Sequence, residues 1–168
     1  NIFIYEHRAH VYIKLERYAE ALSDFRQVQQ IEEKAFIWIS MGDTYRALKY
    51  YKDAIKCYNT SIHIEPTVDA YKQRALIKKE LDFHEDALKD FEHALTIDGQ
   101  HASIYKERAD LYWELREGIK AMADYEQAAR LDPQYFDAYV QKKIIEMFVG
   151  ASPKQDIETL RKALYGDI

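Results

Sequence analysis

One feature restricts this chain more than any other. Alanines at 21, 54, 87 and 121 recur at intervals of 33, 33 and 34 residues, and each is followed four residues later by an aromatic: Phe25, Tyr58, Phe91 and Tyr125. Upstream a second aromatic keeps the same interval, as Tyr5, Trp38, Tyr71 and Tyr105, with a small residue four positions on: Ala9, Gly42, Ala75 and Ala109. A period near 33 fits a repeat array better than one closed core. It marks a unit that buries its apolar face only against its neighbours.

Within each unit the apolar residues fall at helical spacing. Ile4, Tyr5, Arg8, Ala9, Tyr12 and Leu15 predict a first helix over 2–15, and Ala21, Leu22, Phe25 and Val28 an inward face for its partner over 18–30. The same reading pairs 35–48 with 51–63, 68–81 with 84–96, and 102–115 with 118–130. Pro66 and Pro133 fall just past helix ends, where the missing N–H costs least, and Gly99 takes that place in the third unit. Thr67 reads as an N-cap. The small residues are expected at helix crossings, since packed helices approach to about 8–10 Å only where side chains are small. Ala9 should face Ala21, Gly42 face Ala54, Ala75 face Ala87 and Ala109 face Ala121.

The stretch from Trp38 through Met41, Gly42, Tyr45, Ala54 and Tyr58 to Pro66 resembles the tetratricopeptide repeat, a 34-residue helix-turn-helix unit with that signature. The resemblance implies an all-α fold, a right-handed superhelical α-solenoid of antiparallel helix pairs. It divides the chain into repeats 2–34, 35–67, 68–101 and 102–135, followed by a helix pair or cap over 136–168, all in a single array. In the last stretch Lys143 and Asp156 stand where the family has small residues, and Ser152-Pro153-Lys154-Gln155 reads as a capping box. An apolar stripe of Val140, Ile144, Met147 and Phe148, and Phe3 with Ile4 at the other end, could serve self-association through the terminal repeats.

By position, the resemblance places a peptide-binding groove on the first helices. Phe3, Glu6, His10, Ile13 and Lys14 come from the first repeat, and Phe36, Ile39, Asp43, Arg46 and Ala47 from the second. Asp69, Lys72, Leu76, Lys79 and Glu80 follow from the third, and Ser103, Lys106, Asp110, Trp113 and Glu114 from the fourth. Trp113 is the expected anchor, because the core does not require it. Arg46, Lys72, Lys79 and Lys106 are opposed by Asp43, Glu80, Asp110 and Glu114, so the field is mixed. Co-chaperones of the family clamp a C-terminal carboxylate with Lys, Asn and Arg. The matching positions here are Glu6, His10, Asp43, Asp69 and Gln73, so that mode is not expected.

Nothing in the sequence proposes catalysis, a cofactor or a metal. No glycine-rich phosphate loop or cysteine pair occurs. His7 and His10 read as solvated, Cys57 as an inert, semi-buried thiol, and the many Asp and Glu as a solvated face. A net charge of −5 argues against nucleic acid and anionic membranes as partners, and no apolar run reaches the ~18–20 residues of a membrane span. A single cysteine fits a reducing compartment, the cytoplasm first and the nucleus second. The chain begins at Asn1 within a helical pattern and reads as a piece of a longer protein. The expected function is a scaffold or adaptor that binds a protein or peptide segment on the groove. The alternatives are a structural assembly subunit and a regulatory module of a larger enzyme.

Overall fold

A computed structural model describes residues 1–140. Among them are eight α-helices, a 3-10 turn at Pro133–Tyr135, and no strand. The helices are α1 (Ile2–Lys14), α2 (Tyr18–Ile31), α3 (Ala35–Ala47), α4 (Tyr51–Ile64), α5 (Val68–Glu80), α6 (His84–Ile97), α7 (Ala102–Glu114) and α8 (Gly118–Leu131). They pack as the pairs α1–α2, α3–α4, α5–α6 and α7–α8, so all four units exist, with boundaries within a residue or two of the sequence expectation. The chain divides into two compact units, Asn1–Ile97 and Asp98–Ile168. In the first, α2 also packs on α3 and α4 on α5. Most of the final stretch expected as a cap, and Ile144, Met147 and Phe148 of its stripe, lie outside the described residues; Val140 is buried.

Each pair is joined by one kind of turn. Glu16, Lys49, Asp82 and Arg116 all adopt φ near +60°. The amide after each bonds back to a carbonyl five residues earlier: Arg17 to Tyr12, Tyr50 to Tyr45, Phe83 to Lys78 and Glu117 to Tyr112, each at 2.8 Å. This is the left-handed helix stop that ordinarily takes glycine. None of the four is glycine, so each carries a Cβ penalty. Lys49→Gly is therefore expected to raise stability by about 0.5–1 kcal/mol, even with the greater freedom glycine gives the unfolded chain. A urea titration of this exposed-site variant checks it; a lower midpoint would contradict the turn assignment.

The small residues expected at the crossings are buried. Ala9, Ala21, Ala54, Ala75, Ala87, Ala109 and Ala121 are fully buried, and Gly42 is buried too. Phe25, Tyr58, Phe91 and Tyr125 fill the space beside them. Tyr5, Trp38, Tyr71 and Tyr105 are half-buried. Thr67 caps α5, its hydroxyl accepting from the Ala70 amide at 3.3 Å.

The acidic residues do not all form a solvated face, contrary to expectation. Asp24, Asp90 and Asp124 are buried. Each accepts two hydrogen bonds from an arginine sixteen residues earlier, at 2.6–2.8 Å: Arg8, Arg74 and Arg108 respectively. A carboxylate drawn into a helix crossing must be paired, and the planar guanidinium pairs both oxygens at once. Lys78 adds a second cation to Asp90, at 2.9 Å. The second repeat lacks this clasp. Its two positions hold Met41 and Cys57, both buried, and burial pushes the Cys57 thiol up to about 11.

Candidate functional site

In the first unit, the expected groove positions lie on α1, α3 and α5. Phe3, Phe36 and Asp69 are exposed; Ile39, Arg46, Lys72, Leu76 and Lys79 are half-buried. Ile39 spends part of its surface against the core of Ala54, Tyr58 and Ile77. Lys34 lies over the Phe36 ring at 5.8 Å, and the His10 ring meets Phe25 edge-on at 5.5 Å.

Two acids on this face are engaged by tyrosines. The Tyr58 hydroxyl donates to Asp43 at 2.6 Å, and Tyr51 hydrogen-bonds Glu80. Burial, with Asp43 as its charged neighbour, pushes the Tyr58 hydroxyl well above the ordinary phenol value. Asp43 itself is raised above the ordinary carboxylate value. Burial is the main cause and Asp69 adds to it, while Tyr58 and Arg46 oppose it. So Asp43, Arg46, Tyr58 and Asp69 share one electrostatic neighbourhood.

That shift carries a pH prediction. The folded state holds the Asp43 proton more tightly than the unfolded chain, so the charged form is a cost at neutral pH. Asp43→Asn keeps an acceptor for Tyr58 and removes that cost, and is expected to raise stability by up to about 1 kcal/mol at pH 7. The gain should shrink as pH falls through the folded value and vanish below the unfolded ~3.9, where both states are protonated. Melts of both proteins from pH 3.5 to 8 check it. An advantage that grows on acidification would contradict it.

In the second unit the face belongs to α7. Trp113 is half-buried, as are Ser103, Lys106 and Asp110, while Glu114 is exposed. Lys106 bonds Asp110 at 2.8 Å and Glu107 at 3.4 Å. Burial works against its charge, but those two acids outweigh it and hold the amine above the ordinary lysine value. Asp110 also accepts from the Tyr125 hydroxyl. Lys106 is thus partly neutralised by its own helix.

Two sets of contacts escaped the sequence reading: the arginine clasps and the tyrosine–aspartate bonds. Both left a signal. Arg and Asp stand 16 apart at 8/24, 74/90 and 108/124, and Asp and Tyr 15 apart at 43/58 and 110/125. Elsewhere the chemistry is sparse. His7 and His10 are exposed, each with Nδ1 against a backbone carbonyl of its own helix. Among the described residues, no group of three or more His, Cys, Asp or Glu could hold a metal ion. No described helix is long and apolar enough to cross a membrane.

Comparison with known proteins gives a consistent result. The family described as tetratricopeptide repeat matches residues 4–34, 37–67 and 102–135. The third pair, α5–α6, falls outside those matches but has the same turn and crossing. Human Tetratricopeptide repeat protein 12 is 28% identical over 102 residues, which is 60% of this chain and only 14% of that protein. Among solved structures, the MamA protein is 16% identical over 99% of this chain and 96% of its own, with a TM-score of 0.76. YrrB, described as having an unusual peptide-binding site, is 12% identical over 99% and 88%, with a TM-score of 0.71. The first TPR of Spaghetti, bound to an HSP90 peptide, is 24% identical over 70% and 94%, with a TM-score of 0.64. At these identities the structural likenesses establish the fold alone.

Proposed function

The chain belongs to the tetratricopeptide repeat family, and from that premise we propose that it is an interaction scaffold that binds a protein or peptide segment on its first-helix face. It works by contact, without turnover, and its four helix pairs act as one array. The observation that carries this reading is the first unit's mixed surface: Ile39 and Leu76 give partly open aliphatic area beside Arg46, Lys72 and Lys79. In the second unit Trp113, with Lys106 and Asp110, supplies the corresponding face. Aromatic and arginine anchors flanked by polar residues are the usual composition of a binding hot spot.

The partner proposed is not a chaperone C-terminus. The Spaghetti domain's partner is an HSP90 peptide, and a carboxylate terminus needs cationic or amide donors. Glu6, Asp43 and Asp69 stand at three of the clamp positions and would repel it, while His10 and Gln73 do not replace lysine and arginine. A segment carrying apolar residues with both signs of charge suits the face better. We place the protein in the cytoplasm, with the nucleus as the second choice.

The test is a peptide array followed by titration of the best binders. Leu76→Asp and Arg46→Glu should each weaken binding about tenfold, roughly 1.4 kcal/mol, while Lys52→Glu, on the exposed side of α4, should not. Trp113→Ala reads the second unit separately. Full affinity in all three face variants would overturn the proposal.

A further inference from the structure

Two of the four turns share a geometry and carry opposite charge. Between α3 and α4 the chain reads Lys49-Tyr50-Tyr51-Lys52. Between α5 and α6, 33 residues on, it reads Asp82-Phe83-His84-Glu85. Position by position, two cations become two anions and the aromatic at 50 stays aromatic at 83. Lys49, Lys52, Asp82 and Glu85 are all exposed. Tyr50 is 57% and Phe83 58% exposed.

The two turns are neighbours on one edge of the first unit. Tyr51, which opens α4, hydrogen-bonds Glu80 at the end of α5 and packs on the same core as Leu81. The Asp82 carboxylate stands 3.8 Å from His84, and its side chain remains 91% exposed. The next ion pairs along the two helices are alike, Asp53 with Lys56 and Asp86 with Lys89, so they do not alter the contrast. Lys49 and Asp82 also hold the left-handed position of their turns, at φ +61° each, where glycine would cost less. A charged side chain at such a position supplies nothing that the turn itself needs.

We propose that this edge docks a second copy of the chain about a two-fold axis running between the two turns. The axis sets Lys49 and Lys52 of each copy against Asp82 and Glu85 of the other, and Tyr50 against Phe83, so every contact is made twice. An edge that is basic at one turn and acidic at the next is its own complement only in this antiparallel order. The parallel order would oppose like charges. The rings form the dry centre of the contact and the ion pairs its rim. Two turns per copy bury less than about 1,200 Å², the range of weak, reversible complexes, so dissociation is expected between about 1 µM and 1 mM. No groove residue is invoked, and failure here leaves the groove reading standing.

The test is sedimentation equilibrium of the chain from low micromolar to about 0.5 mM. A monomer–dimer equilibrium that weakens with added salt is expected. Lys49→Glu with Lys52→Glu, and separately Asp82→Lys with Glu85→Lys, should each weaken it at least tenfold, because like charges then meet twice. Their thermal melts should match the parent, since all four sites are exposed. Mixed in equal amounts, the two charge-reversed proteins should pair with each other about as well as the parent pairs with itself. Tyr50→Ser should weaken the dimer several-fold while its salt dependence persists. A monomer at every concentration overturns the proposal. So does a dimer indifferent to charge reversal, which would place the contact on another face. A mixture of the two reversed proteins that stays monomeric overturns the two-fold arrangement and the proposal with it.

Discussion

Asp90→Ala is expected to lower stability by about 3–5 kcal/mol, the larger of the two principal effects expected here. Asp90 is buried between α5 and α6 and answers two cations, Arg74 and Lys78, whose side chains are themselves mostly covered. Removing the carboxylate leaves both charges without their partner in a place poorly served by water. The loss is a desolvation cost and not the worth of the pair. Asp24→Ala should therefore cost much less, about 1 kcal/mol, because the half-exposed Arg8 can rehydrate. The chain contains its own control. Its second repeat fills the two clasp positions with Met41 and Cys57, and the fourth repeat keeps Asp43, Tyr45, Ala54 and Tyr58 of the second as Asp110, Tyr112, Ala121 and Tyr125. Arg108→Met combined with Asp124→Cys is expected to stay within about 1.5 kcal/mol of the parent, while Asp124→Ala alone loses about 3. Denaturant titrations of the set decide it. Equal losses for Asp24→Ala and Asp90→Ala would remove burial as the explanation.

Gly42→Val is expected to cost about 3 kcal/mol, the upper end for overpacking. A Cβ at this position would stand 2.6 Å from Cε1 of Tyr58 and under 3 Å from two further ring atoms. The ring is fully buried, and its hydroxyl is fixed on Asp43, so it cannot swing away without breaking that bond. Gly42→Ala meets the same obstacle with less volume. It gains about 1 kcal/mol of helix propensity and should still lose about 1 net. The fourth repeat sets Ala109 beside Tyr125 and Asp110, so the combination is possible where the helices are spaced for it. A melt of Gly42→Val equal to the parent would mean that α3 and α4 approach less closely than described.

The period carried a great deal. Helix pairs, their register, the buried small residues and the Thr67 cap were all legible, because each follows from spacing along one or two adjacent helices. The groove positions followed only from the family resemblance. Their chemical state did not, since Asp43, Glu80, Asp110 and Lys106 are engaged by partners on the same or neighbouring helices. The acidic residues were misjudged for a related reason. Composition treats every aspartate alike, yet Asp24, Asp90 and Asp124 fall on the inward side of a second helix, and Asp53 and Asp86 do not.

By itself, then, the sequence determined the kind of unit, the number of helix pairs in the described stretch and which small residues are buried. The interval of 33 or 34 sets the length of the unit, and the 3.6-residue turn sets which face of each helix is turned inward. Only the tertiary structure decided which charges are buried and with whom, and why the second repeat requires glycine at 42. Those outcomes depend on the approach of one helix to the next, a distance that no residue sets alone.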